Sequence, residues 1–468
     1  MALELDEISL QEKFKEISAG KDELAMQEFL NHQNISDVAE LIYNNEELEL
    51  EIISHLSIHR AVSVFKILEL PIQKRIVHDL SPAKTAELLN ELPPDDRTDF
   101  FSELPSNTVR ELIKTLNPDE RKITLSLLGY PENSVGRLMT PDYVYIYVNN
   151  TVEDVFNSIR RYAKSSETID VLYVINDKGE LLDDIRIKDF IMASPDKKVS
   201  DLMDGRFISL HADDDQEIAS EVFRMNNRVA LPVVSKSNKL LGIVTIDDVL
   251  WVAEEEYSED MQKIGGTEAL DEPYLDTPFF KLIKKRAGWL IVLFLGEFLT
   301  ASALAYFNDE IAKATVLVMF MPLIASSGGN SGSQASTLII QAMAMGEITL
   351  ADWWRIMRRE ILSGFTLGAI LGLIGFFRIC IWHYLMTHGV MQDLYGVHWF
   401  LIAVSVGISL IGVVLWGSLM GSMLPLILKR LGADPAVSSA PFVATLVDVT
   451  GLVIYFSVAF LFLKGILL

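Results

Sequence analysis

Beyond Ala287 the chain runs for long distances without an ionisable residue, and this limits its fold more than any other feature. A helix needs about 20 mostly apolar residues to cross the hydrocarbon core of a bilayer, where unpaired backbone groups are costly. Five such stretches are present: about Ala287 to Tyr306, Ala312 to Met343, Ile361 to Tyr384, Trp399 to Leu428 and Pro441 to Leu463. The second and fourth are long and rich in Gly and Ser, which suggests tilt, a break or close helix contact. Residues 287–468 are therefore expected to form an all-α membrane domain of five transmembrane helices.

Charge divides the chain at the same place. From Ala287 onward nine acids face eight bases, leaving 55 acids and 32 bases before it and a charge of −23 on that part. An acidic soluble region joined to a nearly neutral apolar one disfavours nucleic acid and attracts cations. Loop bases orient the spans. "KLIKKR" before the first, "WWRIMRR" after the second and "KR" at Lys429 and Arg430 fall on one side, and the other two loops hold only Lys313 as a base. The N-terminus is thus expected in the cytoplasm and the C-terminus outside, across the cytoplasmic (inner) membrane. Residues 1–30 lack the apolar core of a signal peptide. The one cysteine, Cys380, excludes an intrachain disulfide.

Two carboxylates lie deep in apolar surroundings: Glu297 in "LFLGEFLTA" and Asp448 in "PFVATLVDVTGLVIYF". An ionisable group in a span is costly and usually faces a cavity or a partner. Asp448 reads as a pore site, and Glu297 and the nearby Thr445 as pore-lining candidates. Helix packing is the plainer role for each. A run of small and polar residues, "PLIASSGGNSGSQAS", interrupts the second span.

Residues 1–130 read as a helical domain. "LELP", "DLSP", "NELPP", "SELP" and "TLNP" place Leu70, Leu80, Leu92, Leu104 and Leu116 ten and then twelve residues apart. Proline suits the first turn of a helix and disfavours helix before it, so each motif starts a short helix. Stacked in sequence these give a superhelical domain. Asp95, Asp96 and Asp99 fall at one helix start, where capping and dipole compensation compete with a cation-facing edge as explanations.

Residues 131–250 hold a second repeat. "GRLMTPDYVYIYVNNTVEDVFNSIRR" parallels "SDLMDGRFISLHADDDQEIASEVFRM", and "IDVLYVINDKGELLDDIRIKDF" parallels "VALPVVSKSNKLLGIVTIDDVL". Each unit reads as helix, strand, turn, strand, helix, and the pair resembles tandem CBS domains, an α/β module that commonly binds an adenine nucleotide. The hydroxyl–x–x–Asp pattern of its ribose contact is present as Thr245 and Asp248. The first copy has Arg186 before Asp189, so one ATP-type site is expected, at the second copy. Residues 251–286 form an acidic connector. Its Glu255/Glu259 and Glu256/Asp260 pairs are four apart on a helix face, which like charges destabilise unless cations bridge them.

This order, together with "GGNSGSQASTLIIQAMA" and "VATLVDVTGLVIYFSVA", closely resembles the MgtE-type magnesium channels and transporters over essentially the whole chain. The resemblance implies a homodimer in the lipid bilayer with a pore between protomers. It carries a pore Mg²⁺ site onto Asp448 with the backbone near Ala444. It also implies cytosolic Mg²⁺ sites at Asp247, Glu256, Glu259 and Asp260 of a plug helix, with Asp95, Asp96 or Asp99 opposite. Mg²⁺ would then be both substrate and regulator. Mg²⁺ releases water reluctantly and is held by one or two carboxylates, which fits these residues. Gly328, Gly329 and Gly332 would let backbones approach, while Asn330, Ser331 and Gln334 offer dipoles to a hydrated ion. A broader Co²⁺ or Mn²⁺ transporter is the alternative, although the spans lack a Cys/His ligand set for softer metals. An intramembrane serine protease is suggested only by "GNSG". His383, His388 and His398 cluster near an outer loop, away from that serine, so no enzyme activity is expected.

Overall fold

The computed structural model describes residues 2–20, 22–270 and 272–466, and the chain divides into two compact units, residues 1–256 and 257–468. The first unit opens with the helix Ala2–Gly20, and shorter helices follow. Pro71, Pro82, Pro94 and Pro118 each lie in a first turn, and Pro105 caps Ser106–Leu112. Leu80, Leu92 and Leu116 of the repeated motif enter one continuous core, with Leu70 and Leu104 packed against it. The helices Ile58–Lys66 (α1) and Pro94–Ser102 (α2) meet in that core, where Phe65 stands edge-on to Phe100 with ring centroids 5.4 Å apart.

Two three-stranded sheets follow. Strands β1 (Tyr145–Tyr147), β2 (Val171–Ile175) and β3 (Leu181–Arg186) form the first, and β4 (Leu210–His211), β5 (Ala230–Val234) and β6 (Leu240–Thr245) the second. In each, the middle strand is wholly buried and runs antiparallel to the third. The sequence repeat reads only these two strands per copy. The structure adds β1 and β4, which are two or three residues long and parallel to the middle strand. Strands this short leave little periodicity to detect. The two copies share a core in which Val171, Tyr173 and Ile175 meet Ala230, Val234 and Ile243.

The helix Ile246–Ile264 (α3) continues from β6 and is unbroken through its acidic run. After it come Phe279–Tyr306 (α4), Met321–Ala344 (α5), Trp353–Thr387 (α6), Trp399–Arg430 (α7) and Ala440–Leu463 (α8). Four of these, α4, α6, α7 and α8, are long and apolar enough to cross a membrane. Helix α5 is less apolar than these, because its Ser, Gly, Asn and Gln residues lower its hydropathy. It also starts later than expected, after a separate helix Asn308–Lys313 and a 3₁₀ segment Thr315–Phe320.

Helix α7 is the centre of the second unit, and it is glycine that lets its neighbours reach it. On α6, a Cβ at Gly368 would lie 2.8 Å from the Ile411 backbone, and one at Gly372 2.6 Å from the Gly407 carbonyl oxygen. On the other side, a Cβ at Gly417 would lie 2.3 Å from the Gly328 oxygen, and one at Gly421 2.1 Å from the Gly332 oxygen. Small residues four apart thus bring α5 and α6 onto α7 backbone to backbone, a close packing suited to lipid. Helix α4 is different. It has no buried residue and packs against α8, where Trp289 Nε1 donates to Ser439 Oγ at 3.0 Å.

Candidate functional site

Arg97 decides which way α2 faces. Its side chain is fully buried and donates to the Leu89 and Leu92 carbonyls at 3.1 Å, to Thr124 Oγ1 at 2.9 Å and to Glu120. With about 100° per residue, fixing Arg97 inward turns Asp95, Asp96 and Asp99 toward the opposite side. Asp95 is buried, with Oδ1 lacking any hydrogen-bond partner. Asp96 is half-buried and Asp99 exposed.

The acids α2 meets lie on the tandem repeat. Burial raises the Asp95 carboxyl well above the usual range, and Asp248, Asp96 and Glu167 push the same way. Asp96 is raised by burial and by Asp247, against the pull of Lys66. Asp248 is pushed up to about 7, first by burial and then by Asp247 and Asp96, while the Thr245 hydroxyl, 2.5 Å away, and Lys66 oppose the rise. The structure therefore brings Asp95, Asp96, Asp247 and Asp248 into one electrostatic group, and adds Lys66 and Glu167 to it. Neither addition is marked in the sequence, since each is a single charged residue far from the others. Among the described residues no three His, Cys, Asp or Glu side chains close into a ready ligand shell.

The connector acids are placed differently. Glu256 Oε1 accepts from Gln216 Nε2 at 3.0 Å. In the second unit Lys263 pairs with Glu259 and, at 2.7 Å, with Asp434 in the loop that enters α8. Ile264 beside it packs with Ile340 and Ala436.

Asp448 lies half-buried on α8, and a Cβ at Gly329 would be 3.5 Å from its Oδ1 and 3.4 Å from Ala444 Cβ. The glycine thus opens α5 to that carboxylate and to Ala444. Glu297, exposed on α4, is near enough to act on Asp448 electrostatically. The polar run on α5 divides by face. Ser331 Oγ lies 2.9 Å from Ser418 Oγ, Ser333 donates to the Ala440 carbonyl at 2.9 Å, and Ser336 to Ser438 at 2.8 Å. These hydroxyls hold helices together, and Ser331 of "GNSG" is one of them. Asn330 and Gln334, four apart, share an exposed face. Thr445 Oγ1 donates to the Pro441 carbonyl within its own helix at 3.1 Å.

Comparison with known proteins covers both units. Residues 321–458 match the MgtE family, described as a divalent cation transporter; residues 33–133 match the MgtE intracellular N domain; and residues 135–196 and 199–255 match the CBS domain. The magnesium transporter MgtE of Thermus thermophilus is 35% identical over 415 residues, spanning 83% of this chain and 89% of that protein. That of Bacillus subtilis is 29% identical over 414 residues, 88% of each. The crystal structure of the cytosolic domain of the Mg²⁺ channel MgtE in complex with ATP matches with a TM-score of 0.50 at 31% identity, covering 52% of this chain and 99% of that one. The soluble part of a magnesium transporter does so with 0.50 at 25%, covering 53% and 99%. A helical domain, a CBS pair and an apolar bundle matched in one order along one chain have a single reading: it belongs to the MgtE family of divalent cation transporters.

Proposed function

We propose that the protein imports Mg²⁺ across the cytoplasmic membrane as a homodimer, and that Mg²⁺ bound to its acidic cytosolic part closes it. The observation that carries the transport reading is Asp448, a carboxylate in an apolar helix left open to α5 by Gly329. Two such acids related by dimer symmetry would hold an ion with its waters retained. Asn330, Gln334, Thr445, Glu297 and the backbone near Ala444 would line the path. In this reading α5 is the fifth span, carried within the bundle by neighbours, and the N-terminus is cytoplasmic. Reconstituted liposomes should take up Mg²⁺ faster than Co²⁺ or Ca²⁺. Equal rates would favour the broader divalent transporter, and no uptake would end the reading.

The gating reading is supported by carboxylates held near one another. At an effective dielectric near 20, two charges about 4 Å apart repel by roughly 4 kcal/mol before solvent screening. Mg²⁺ bridging Asp95, Asp96 or Asp99 to Asp247, and acting at Glu256, Glu259 and Asp260, would favour a closed state by its differential affinity for it. Neutralising Glu256, Glu259 and Asp260 together should leave conduction intact and weaken block by cytosolic Mg²⁺ in patch recordings. Unchanged block would defeat this assignment.

Protons should act on the same acids. The packed state raises Asp95, Asp96 and Asp248 above their unpacked values, so it takes up protons on packing. Without Mg²⁺ its stability is then greatest at low pH and is lost as pH rises toward about 7, where Asp248 ionises. Mg²⁺ must displace those protons. The midpoint for Mg²⁺-induced protease protection should be several-fold higher at pH 6 than at pH 8, and equal midpoints would remove these acids from the site.

An adenine nucleotide site at Thr245 and Asp248 is part of the same reading. Asp248 is already among acids, so a polyphosphate would bind there with its counter-cation. Calorimetry on the full chain should find one nucleotide per protomer, lost in Asp248→Ala.

A further inference from the structure

We propose that Lys66 is a tethered counterion that competes with Mg²⁺ for the acidic face of α2 and so sets the Mg²⁺ concentration at which the cytosolic part closes. This rests on the reading that Mg²⁺ binds that face. It concerns a residue outside the acidic set.

Lys66 ends α1, and its position is fixed by packing. Ala61, Val62, Val64 and Phe65 of α1 are buried, and Phe65 meets Phe100 of α2 edge-on. The two helices therefore keep their spacing whether or not Lys66 is charged. Its ammonium lies 3.2 Å from Asp96 Oδ2, with the two side chains 26% and 20% exposed. It also acts on Glu167 and Asp248.

One ammonium cannot neutralise this set. Asp95 Oδ1 stays buried and unpartnered while Lys66 is directed to Asp96. The arrangement thus holds an internal monovalent cation and leaves an oxygen for a second one. A dication entering beside Asp96 would meet the ammonium as a like charge, and would have to displace it. Lysine is suited to this, being a point charge on a flexible four-carbon stem that can swing toward water without moving the helix. At zero Mg²⁺ Lys66 relieves some of the repulsion; at high Mg²⁺ it opposes the ion.

The two roles separate in one experiment. The full-length protein is held in nanodiscs, and proteolysis of its cytosolic part is followed against Mg²⁺ concentration. Lys66→Met keeps the stem and removes the charge. It should be cut faster than wild type without Mg²⁺, yet reach full protection at a Mg²⁺ midpoint roughly tenfold lower, since a like charge near the ion is gone. Lys66→Arg keeps the charge and should hold the midpoint at or above that of wild type. An ordinary structural ion pair gives the opposite sign, with weaker protection at every Mg²⁺ concentration and a midpoint unchanged or raised. Either result overturns the proposal, as does a Lys66→Met protein that stays cleaved at saturating Mg²⁺. If wild type itself shows no Mg²⁺-dependent protection, the binding reading fails first. If wild type responds and Lys66→Met follows the same curve, only the role of Lys66 fails.

Discussion

Gly421→Val should yield no folded membrane unit. A Cβ at this position would lie 2.1 Å from the Gly332 oxygen, 2.8 Å from its carbonyl carbon and 3.0 Å from its Cα, all backbone atoms that no rotamer change can move. Overpacking a core by a methylene costs about 1–3 kcal/mol when side chains can shift; here two helices would have to separate. Gly417→Val, 2.3 Å from the Gly328 oxygen, should fail in the same way. Gly288→Ala is the control, because its new Cβ meets only the end of Glu268, at 3.5 Å. Size-exclusion chromatography in mild detergent reads the result. A monodisperse Gly421→Val peak of wild-type height would show that α5 and α7 are not packed as described.

If Asp448 holds the ion as proposed, Asp448→Asn should fold normally and lower Mg²⁺ flux by roughly tenfold or more, because an amide keeps the shape and loses the charge. The side chain lies half-buried beside a glycine, so exchanging one oxygen for nitrogen disturbs little packing. Asn330→Ala should cost less, since it removes a dipole that hydrated ions can replace with water. Proteoliposome uptake at several Mg²⁺ concentrations separates rate from affinity. Wild-type rate and affinity in Asp448→Asn would take the pore assignment away from that residue.

What could be read from the sequence followed from periodicity and local chemistry. Prolines at fixed spacing marked helix starts, because the ring fixes backbone geometry wherever it occurs. All five spans were read from the sequence, and four of them are apolar enough that hydropathy summed over a window marks them; α5, read as the long second span, falls short because its polar residues reflect neighbours that a window does not contain. The division of that run, with Ser331, Ser333 and Ser336 inward and Asn330 and Gln334 exposed, depends on how α5 is rotated against α7 and α8. Composition does not carry that rotation. Glu259 looked like one acid among several, and the structure gives it Lys263, which also holds Asp434. Lys66 and Glu167 had no pattern around them at all. Charges that meet through tertiary structure leave no spacing signal, whereas helical pairs four apart do.

The glycine contacts also sort the membrane unit into a frame and a lever. Helices α5, α6 and α7 touch through main-chain atoms, so none can slide or turn against another without first moving apart; mechanically they are one body. Helix α4 has no buried residue and leans on α8 through contacts such as the indole of Trp289 on Ser439. The end of α3 is fastened by Lys263 to the turn just before α8. A pull on the end of α3 would therefore reach the entrance of the helix that carries Asp448 through Asp434, and α5 itself through Ile264 on Ile340. Movement at residues 434–440 would have to break the bonds by which Ser336 and Ser333 of α5 hold the Ser438 and Ala440 carbonyls, and those bonds would set its speed.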